Sequence, residues 1–161
     1  MSGMLAFFTG CFAQESNINR YNNVGEKEGY WIIESSTSRF ECHYKNGKYH
    51  GLMKMFNGNG ELFSLGFYEE GLETGVFYYF DKGKLSFLQK DFRHNITPIL
   101  SKYNYPYHNI CYHIGFHPNG VTSDEGHVLW NESSISDDAY DYGEWKYYDE
   151  NGILIRTEYY K

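Results

Sequence analysis

The chain has 161 residues, enough for one domain with its own core, and 41% of them are hydrophobic, which excludes a disordered tail. Its net charge of −7, from 14 basic and 21 acidic residues, excludes a sequence-independent grip on nucleic acid and attachment to anionic lipid by charge alone. Aromatic residues make up 20% of the chain, against 17 Gly and 3 Pro, a balance that favours strands joined by glycine turns over helices.

In chain order, the first feature is a short apolar run from Met4 to Phe8, followed by small residues around Cys11. Residues 1–13 read as the end of a secretory signal, with Cys11 and Ala13 spaced two apart as signal peptidase prefers. Phe8-Thr9-Gly10-Cys11 also reads as a lipoprotein box, in which Cys11 carries the lipid anchor. Export is therefore the expectation, and a cytoplasmic location the alternative. The run is too short to span a membrane, so no transmembrane segment is expected. Residues 14–28 are a lead-in. Removal of residues 1–13 leaves Cys42 and Cys111, which sit among aromatic residues and are expected to be unpaired core thiols.

A repeat begins at Gly29. Gly29, Gly51 and Gly75 stand 22 and 24 residues apart. Gly51 and Gly75 each open an aromatic-rich or Met-rich strand that ends at a glycine turn, Asn59-Gly60 in one case and Lys82-Gly83 in the other. The segments Tyr44 to Gly51 and Tyr68 to Gly75 also match, sharing Gly47 and Gly71 three residues after the Tyr. Asn59-Gly60 predicts a two-residue hairpin turn with positive φ at both positions. The pattern returns at Asn119-Gly120, and again from Gly143 to Asn151-Gly152. Residues 29–92 thus form one repeat block and residues 111–161 a second. Residues 93–110, with Pro98 and Pro106, read as an irregular linker carrying at most a short helix from Pro98 to Lys102. A two-stranded unit cannot bury its own face, so the units must extend one sheet. The expected fold is all-β: an antiparallel hairpin-repeat meander forming one twisted, extended sheet.

The repeat resembles the MORN family, and in particular the variant repeats of bacterial YwqK-type antitoxin components. Tyr44-Lys45-Asn46-Gly47-Lys48 with Gly51 carries the resemblance, as does Gly143-Glu144-Trp145-Lys146-Tyr147-Tyr148 with Asn151-Gly152. Met53 and Phe77 stand where the family has Trp. The resemblance implies β-hairpin arrays and a role in binding or scaffolding, with an antitoxin role as the family label.

Side-chain chemistry gives few candidates. His108, Cys111, His113 and His117 are clustered, but His113 and His117 on one strand would stand about 13 Å apart, too far for one zinc ion. Asp137, Asp138, Asp141 and Glu144 lack the ordered spacing of a calcium loop. Glu69-Glu70, Asp124-Glu125 and Asp149-Glu150 are expected at solvated turns, and no motif for nucleophilic, zinc-hydrolase or phosphate-cradle chemistry occurs. No catalytic, cofactor-binding or metal residue is expected. Trp31, Trp145, Tyr147 and Tyr148 read as core and cross-strand pairs; if exposed on one face, they would be the anchors for a partner or a sugar. The functional expectation is a non-enzymatic β-repeat protein, exported, that binds an unidentified protein partner as an interaction module or scaffold. The alternatives are an antitoxin or immunity protein that masks a basic toxin, and a carbohydrate-binding or carbohydrate-active protein.

Overall fold

The computed structural model describes residues 17–131 and 139–161. It holds fourteen strands and, among the described residues, no helix. They are β1 (Arg20–Tyr21), β2 (Lys27–Glu34), β3 (Ser38–Lys45), β4 (Lys48–Tyr49), β5 (Gly51–Asn57), β6 (Leu62–Glu69) and β7 (Leu72–Asp81). Then follow β8 (Lys84–Arg93), β9 (Ile99–Leu100), β10 (Pro106–Tyr107), β11 (Asn109–Phe116), β12 (Thr122–Trp130), β13 (Tyr140–Tyr148) and β14 (Leu154–Tyr160). One antiparallel sheet runs β1-β2-β3-β5-β6-β7-β8-β11-β12-β13-β14, with the short β4 also on β3. The expected all-β meander is what forms, and it does not close into a barrel: among the described strands β1 and β14 each have one neighbour.

Two kinds of turn build it. At Asn46-Gly47, Glu70-Gly71 and Lys82-Gly83 both central residues have positive φ, the requirement of a two-residue hairpin turn matched to strand twist. The second kind is a three-residue loop. At Asn57 to Glu61 the Asn57 N–H donates to the Glu61 carbonyl and the Gly60 N–H to the Asn57 carbonyl, while only Gly60 has positive φ. The Asn57 side-chain oxygen accepts the N–H of Asn59 at 3.0 Å and of Glu61 at 3.1 Å. Asn59 therefore does not take the left-handed conformation expected of it. The polar side chain two residues before it closes a wider loop, with glycine only at the last position. Asn22 and Asp149 repeat this loop, and so does Ser101 in β9–β10, with Asn104 in the glycine's place. Asn119 and Asn151, like Asn59, are not among the residues with positive φ, whereas Gly120 and Gly152 are.

Gly75 and Gly143 do something different from turning the chain. Between β6 and β7 the pairing moves from Leu65↔Tyr78 to Phe67↔Thr74, so Gly66 alone faces Gly75, Val76 and Phe77. Between β12 and β13, Gly126 alone faces Gly143, Glu144 and Trp145. Each bulge opens with a positive-φ glycine and folds its aromatic ring over the bare backbone of the neighbouring strand. A Cβ on Gly66 would lie 2.4 Å from the Phe77 ring, and one on Gly126 the same distance from Trp145. At Trp31 the facing residue is Cys42, also small.

These rings and their small partners make the core. One cluster joins Trp31, Cys42 and Tyr44; another joins Cys111, Val128 and Trp145. They lie on one face of the sheet, linked by rows of ring contacts that run Trp31–Tyr44–Tyr49–Tyr68–Phe77–Phe92 and Tyr79–Phe87–His113–Trp145. Edge-to-face and offset ring pairs of this kind add about 0.5–1.5 kcal/mol each beyond burial. Cys42 and Cys111 are free and buried within these clusters.

Residues 93–110, expected as an irregular linker, leave the sheet in one piece. β8 pairs directly with β11, so the sheet is continuous, and Asn109 and Ile110 already belong to β11. The excursion between them holds the β9–β10 hairpin in place of any helix at Pro98 to Lys102. Tyr107 of that hairpin packs with Ile110 and Leu129, while Ile96 and Ile99 complete a third cluster. Ile110 and Leu129 point to the face opposite Cys111 and Val128, as strand alternation requires, so the excursion covers the second face of β11–β13.

Candidate functional site

The aromatic residues named as anchors if exposed are engaged inside the protein. Trp31 is 7% and Trp145 5% exposed, so neither offers an open ring face. The Trp145 indole N–H donates to the His127 carbonyl at 3.0 Å and that of Trp31 to the Glu28 carbonyl at 3.2 Å. Tyr147 is half-buried, with the Arg156 guanidinium 3.9 Å above its ring and its hydroxyl 2.9 Å from that of Tyr160. Tyr148, also half-buried, donates to Glu125 at 2.6 Å, and the carboxylate pushes the phenol up to about 12. The four residues do not form one surface: Trp145 and Tyr147 lie on the aromatic face, Trp31 lies near the opposite edge, and the Tyr148 hydroxyl bonds the second face.

The densest polar group lies on the aromatic face of β11–β13. The His113 imidazole is held between Phe87 and Trp145, at ring-centroid distances of 4.9 and 5.5 Å. Its Nε2 is 3.3 Å from Asp124, whose other oxygen accepts the Ser123 hydroxyl at 2.6 Å. The bond from His113 holds the Asp124 carboxyl below its usual range. Burial pushes the nearby Asp141 carboxyl up. A His–Asp couple can move a proton, but nucleophilic catalysis needs a hydroxyl or thiol bonded to the imidazole. Here the Ser123 hydroxyl serves the carboxylate instead. Asp124 and Glu125 lie within β12 on opposite faces, not at a turn.

The metal candidates are dispersed. Cys111 is fully buried, with burial pushing its thiol up to about 12; His108 is exposed; the His117 Nε2 donates to the Tyr148 carbonyl at 2.9 Å. Among the described residues no group of three His, Cys, Asp or Glu side chains is placed to hold a metal ion. Asp137 and Asp138 lie outside the described residues, as do residues 1–13 and Cys11. Glu70 sits at a turn 3.9 Å from Lys48. Asp149 is held below the usual carboxylate range by the backbone N–H of Ile153, which makes it a turn-former. A shallow cleft of about 220 Å³ beside Ser35, Arg39 and Asn57 is no anion site, because Arg39 already faces Glu34 and Glu41. No helix among the described residues is long and apolar enough to cross a membrane.

What sequence reasoning missed is the β14 edge. Leu154, Ile155 and Tyr159 are 50%, 63% and 72% exposed, and Ile153 just before them is 62% exposed. The tip of the β9–β10 hairpin lies beside this strand, since the Lys102 N–H donates to the Lys161 carbonyl at 3.0 Å, and it adds the exposed Tyr103. One margin of this strand is free among the described residues, and beside its charges, Arg156 and Glu158, it carries bare apolar side chains and no Lys or Pro, the residues that commonly block a native edge. The signal in the sequence was the run Ile153-Leu154-Ile155, which continues past the glycine turn with no Lys or Pro before Lys161. The chain matches no protein-family model and no curated protein.

Proposed function

We propose that the chain is a non-enzymatic, exported β-repeat protein of MORN type that works as a protein-interaction module or scaffold, and that it engages its partner along β14. The observation that carries this reading is that edge: seven residues of strand with one neighbour among the described residues, Leu154, Ile155 and Tyr159 of which are exposed. Strand addition to such an edge takes its affinity from main-chain hydrogen bonds and its specificity from alternate side chains. The engagement of His113, Ser123, Tyr147 and Tyr148 with protein groups supports the non-enzymatic part of the reading.

The test is affinity capture from fractionated native cells with the 161-residue chain and its Thr157→Pro variant, which cannot extend the ladder at mid-strand. Wild type should retain a partner that the folded variant loses. Equal recovery by both would refute the edge reading. Substrate turnover that disappears in His113→Ala would refute the non-enzymatic one, and a protein found only in the cytoplasmic fraction would refute export.

A further inference from the structure

We infer that the occupant of the β14 edge is a second copy of this chain, paired antiparallel across a two-fold axis at Thr157; the inference rests on the reading of β14 as the interaction surface. Ile155-Arg156-Thr157-Glu158-Tyr159, within β14, is complementary to itself when reversed. With Thr157 opposite Thr157 of the second copy, Arg156 lies opposite Glu158 and Ile155 opposite Tyr159. Each cation meets an anion and Ile155 meets Tyr159, twice over because the axis repeats the set. A centre one residue earlier sets Arg156 against itself, and one residue later Glu158 against itself. Charge pairing thus selects one register.

The side chains are placed to serve it. Arg156 and Glu158 share the aromatic face, opposite Tyr147 and Trp145 of β13, and they pair with each other at 2.8 Å while 55% and 38% exposed. In the two-fold pair these four charges form a patch two by two, in which each charge has opposite charges beside it along its own strand and across the axis. The extra residue of the β13–β14 pairing falls at Ile155, which leaves Arg156 to Tyr160 as a regular five-residue stretch. Head-to-tail growth is disfavoured by the other end of the sheet. There β1 is two residues long and follows Asn19, which has positive φ, so it gives β14 little strand to join. The two-fold pair is therefore closed, a dimer with one sheet running through both copies.

Sedimentation velocity of the 161-residue chain from about 1 μM to about 1 mM tests this. Wild type should pass from monomer to dimer with concentration. Glu158→Arg sets an arginine against Arg156 of the second copy on both sides of the axis and should weaken association about tenfold or more. The double variant Arg156→Glu/Glu158→Arg, which restores complementarity with net charge unchanged, should return association to near the wild-type level while Thr157→Pro abolishes it. Circular dichroism checks that each variant is folded. A wild-type chain that stays monomeric throughout would overturn the inference, and so would a dimer indifferent to these variants or a swap that fails to rescue a folded protein. If the chain is monomeric but Thr157→Pro still loses a captured partner, self-pairing fails while the edge reading survives. If neither changes, both fail.

Discussion

Replacement of Gly126 by Ala tests what the bulges do. An added Cβ would sit 2.4 Å from two atoms of the Trp145 ring and 2.5 Å from a third, far inside contact distance. The φ of Gly126 is not positive, so the backbone itself would accept Ala, and the whole effect falls on the ring. Trp145 must lift. Overpacking of a close-packed site costs about 1–3 kcal/mol. The 3.0 Å bond from the indole N–H to the His127 carbonyl is strained or lost, at about 0.5–1.5 kcal/mol. Together these give about 1.5–4.5 kcal/mol, or a fall in melting temperature of about 3–18 °C for a chain of this size. Urea unfolding followed by near-ultraviolet circular dichroism reads both the stability and the tryptophan environment. In a Trp145→Leu background the same Gly126→Ala change should cost less than about 1 kcal/mol, because the smaller side chain leaves room. A variant that melts within about 2 °C of wild type, or one that costs the same in both backgrounds, would refute the close-approach account.

The His113–Asp124 pair predicts a pH dependence. The folded-state value of Asp124 is depressed, so its contribution is present above the unfolded value of about 3.9 and is lost as pH falls through the folded value. Between about pH 5 and pH 3, wild type should lose more stability than His113→Gln, and parallel curves by thermal melting would remove Asp124 as the cause. At the β7–β8 turn Lys82 holds φ 48, a conformation that Asn tolerates better. Lys82→Asn should therefore stabilise the protein by about 0.5 kcal/mol in urea unfolding, and a destabilised variant would contradict the turn assignment.

The repeat and the meander could be read from glycine spacing because the dihedral demands are local: the recurring Gly51, Gly75 and Gly143 all take positive φ. The geometry expected at Asn59-Gly60 fails for an equally local reason. A dipeptide rule sees the Asn and Gly but not Asn57, whose carboxamide claims two backbone donors and widens the loop. Glu70 and Lys82 are the converse, ordinary residues forced left-handed by the two-residue connection itself. Core positions for Trp31 and Trp145 were the expected alternative to exposed anchors, but which face gains cover could not be read, because this sheet is aromatic on both faces and period-two alternation does not tell them apart. The fate of residues 93–110 depended on contacts across the chain. Pro98 and Pro106 marked a break, yet only the docking of Tyr107 on Ile110 and Leu129 makes it a cover for the sheet. The β14 edge is hard to read because its complementarity shows only when the strand is compared with its own reverse.

The order of pairing has a mechanical consequence. Each long strand bonds to its neighbours along the chain, and β1 and β14 form opposite margins of the sheet. A pull applied at those margins therefore acts across the strands, and its load falls on one pair at a time. Such a sheet peels like a zip at low force, hairpin by hairpin, where a sheared sheet must break a whole row of bonds together. Tension should release the chain in steps of roughly two strands. Only the β8–β11 junction, with the hairpin of β9 and β10 folded against it, interrupts that sequence.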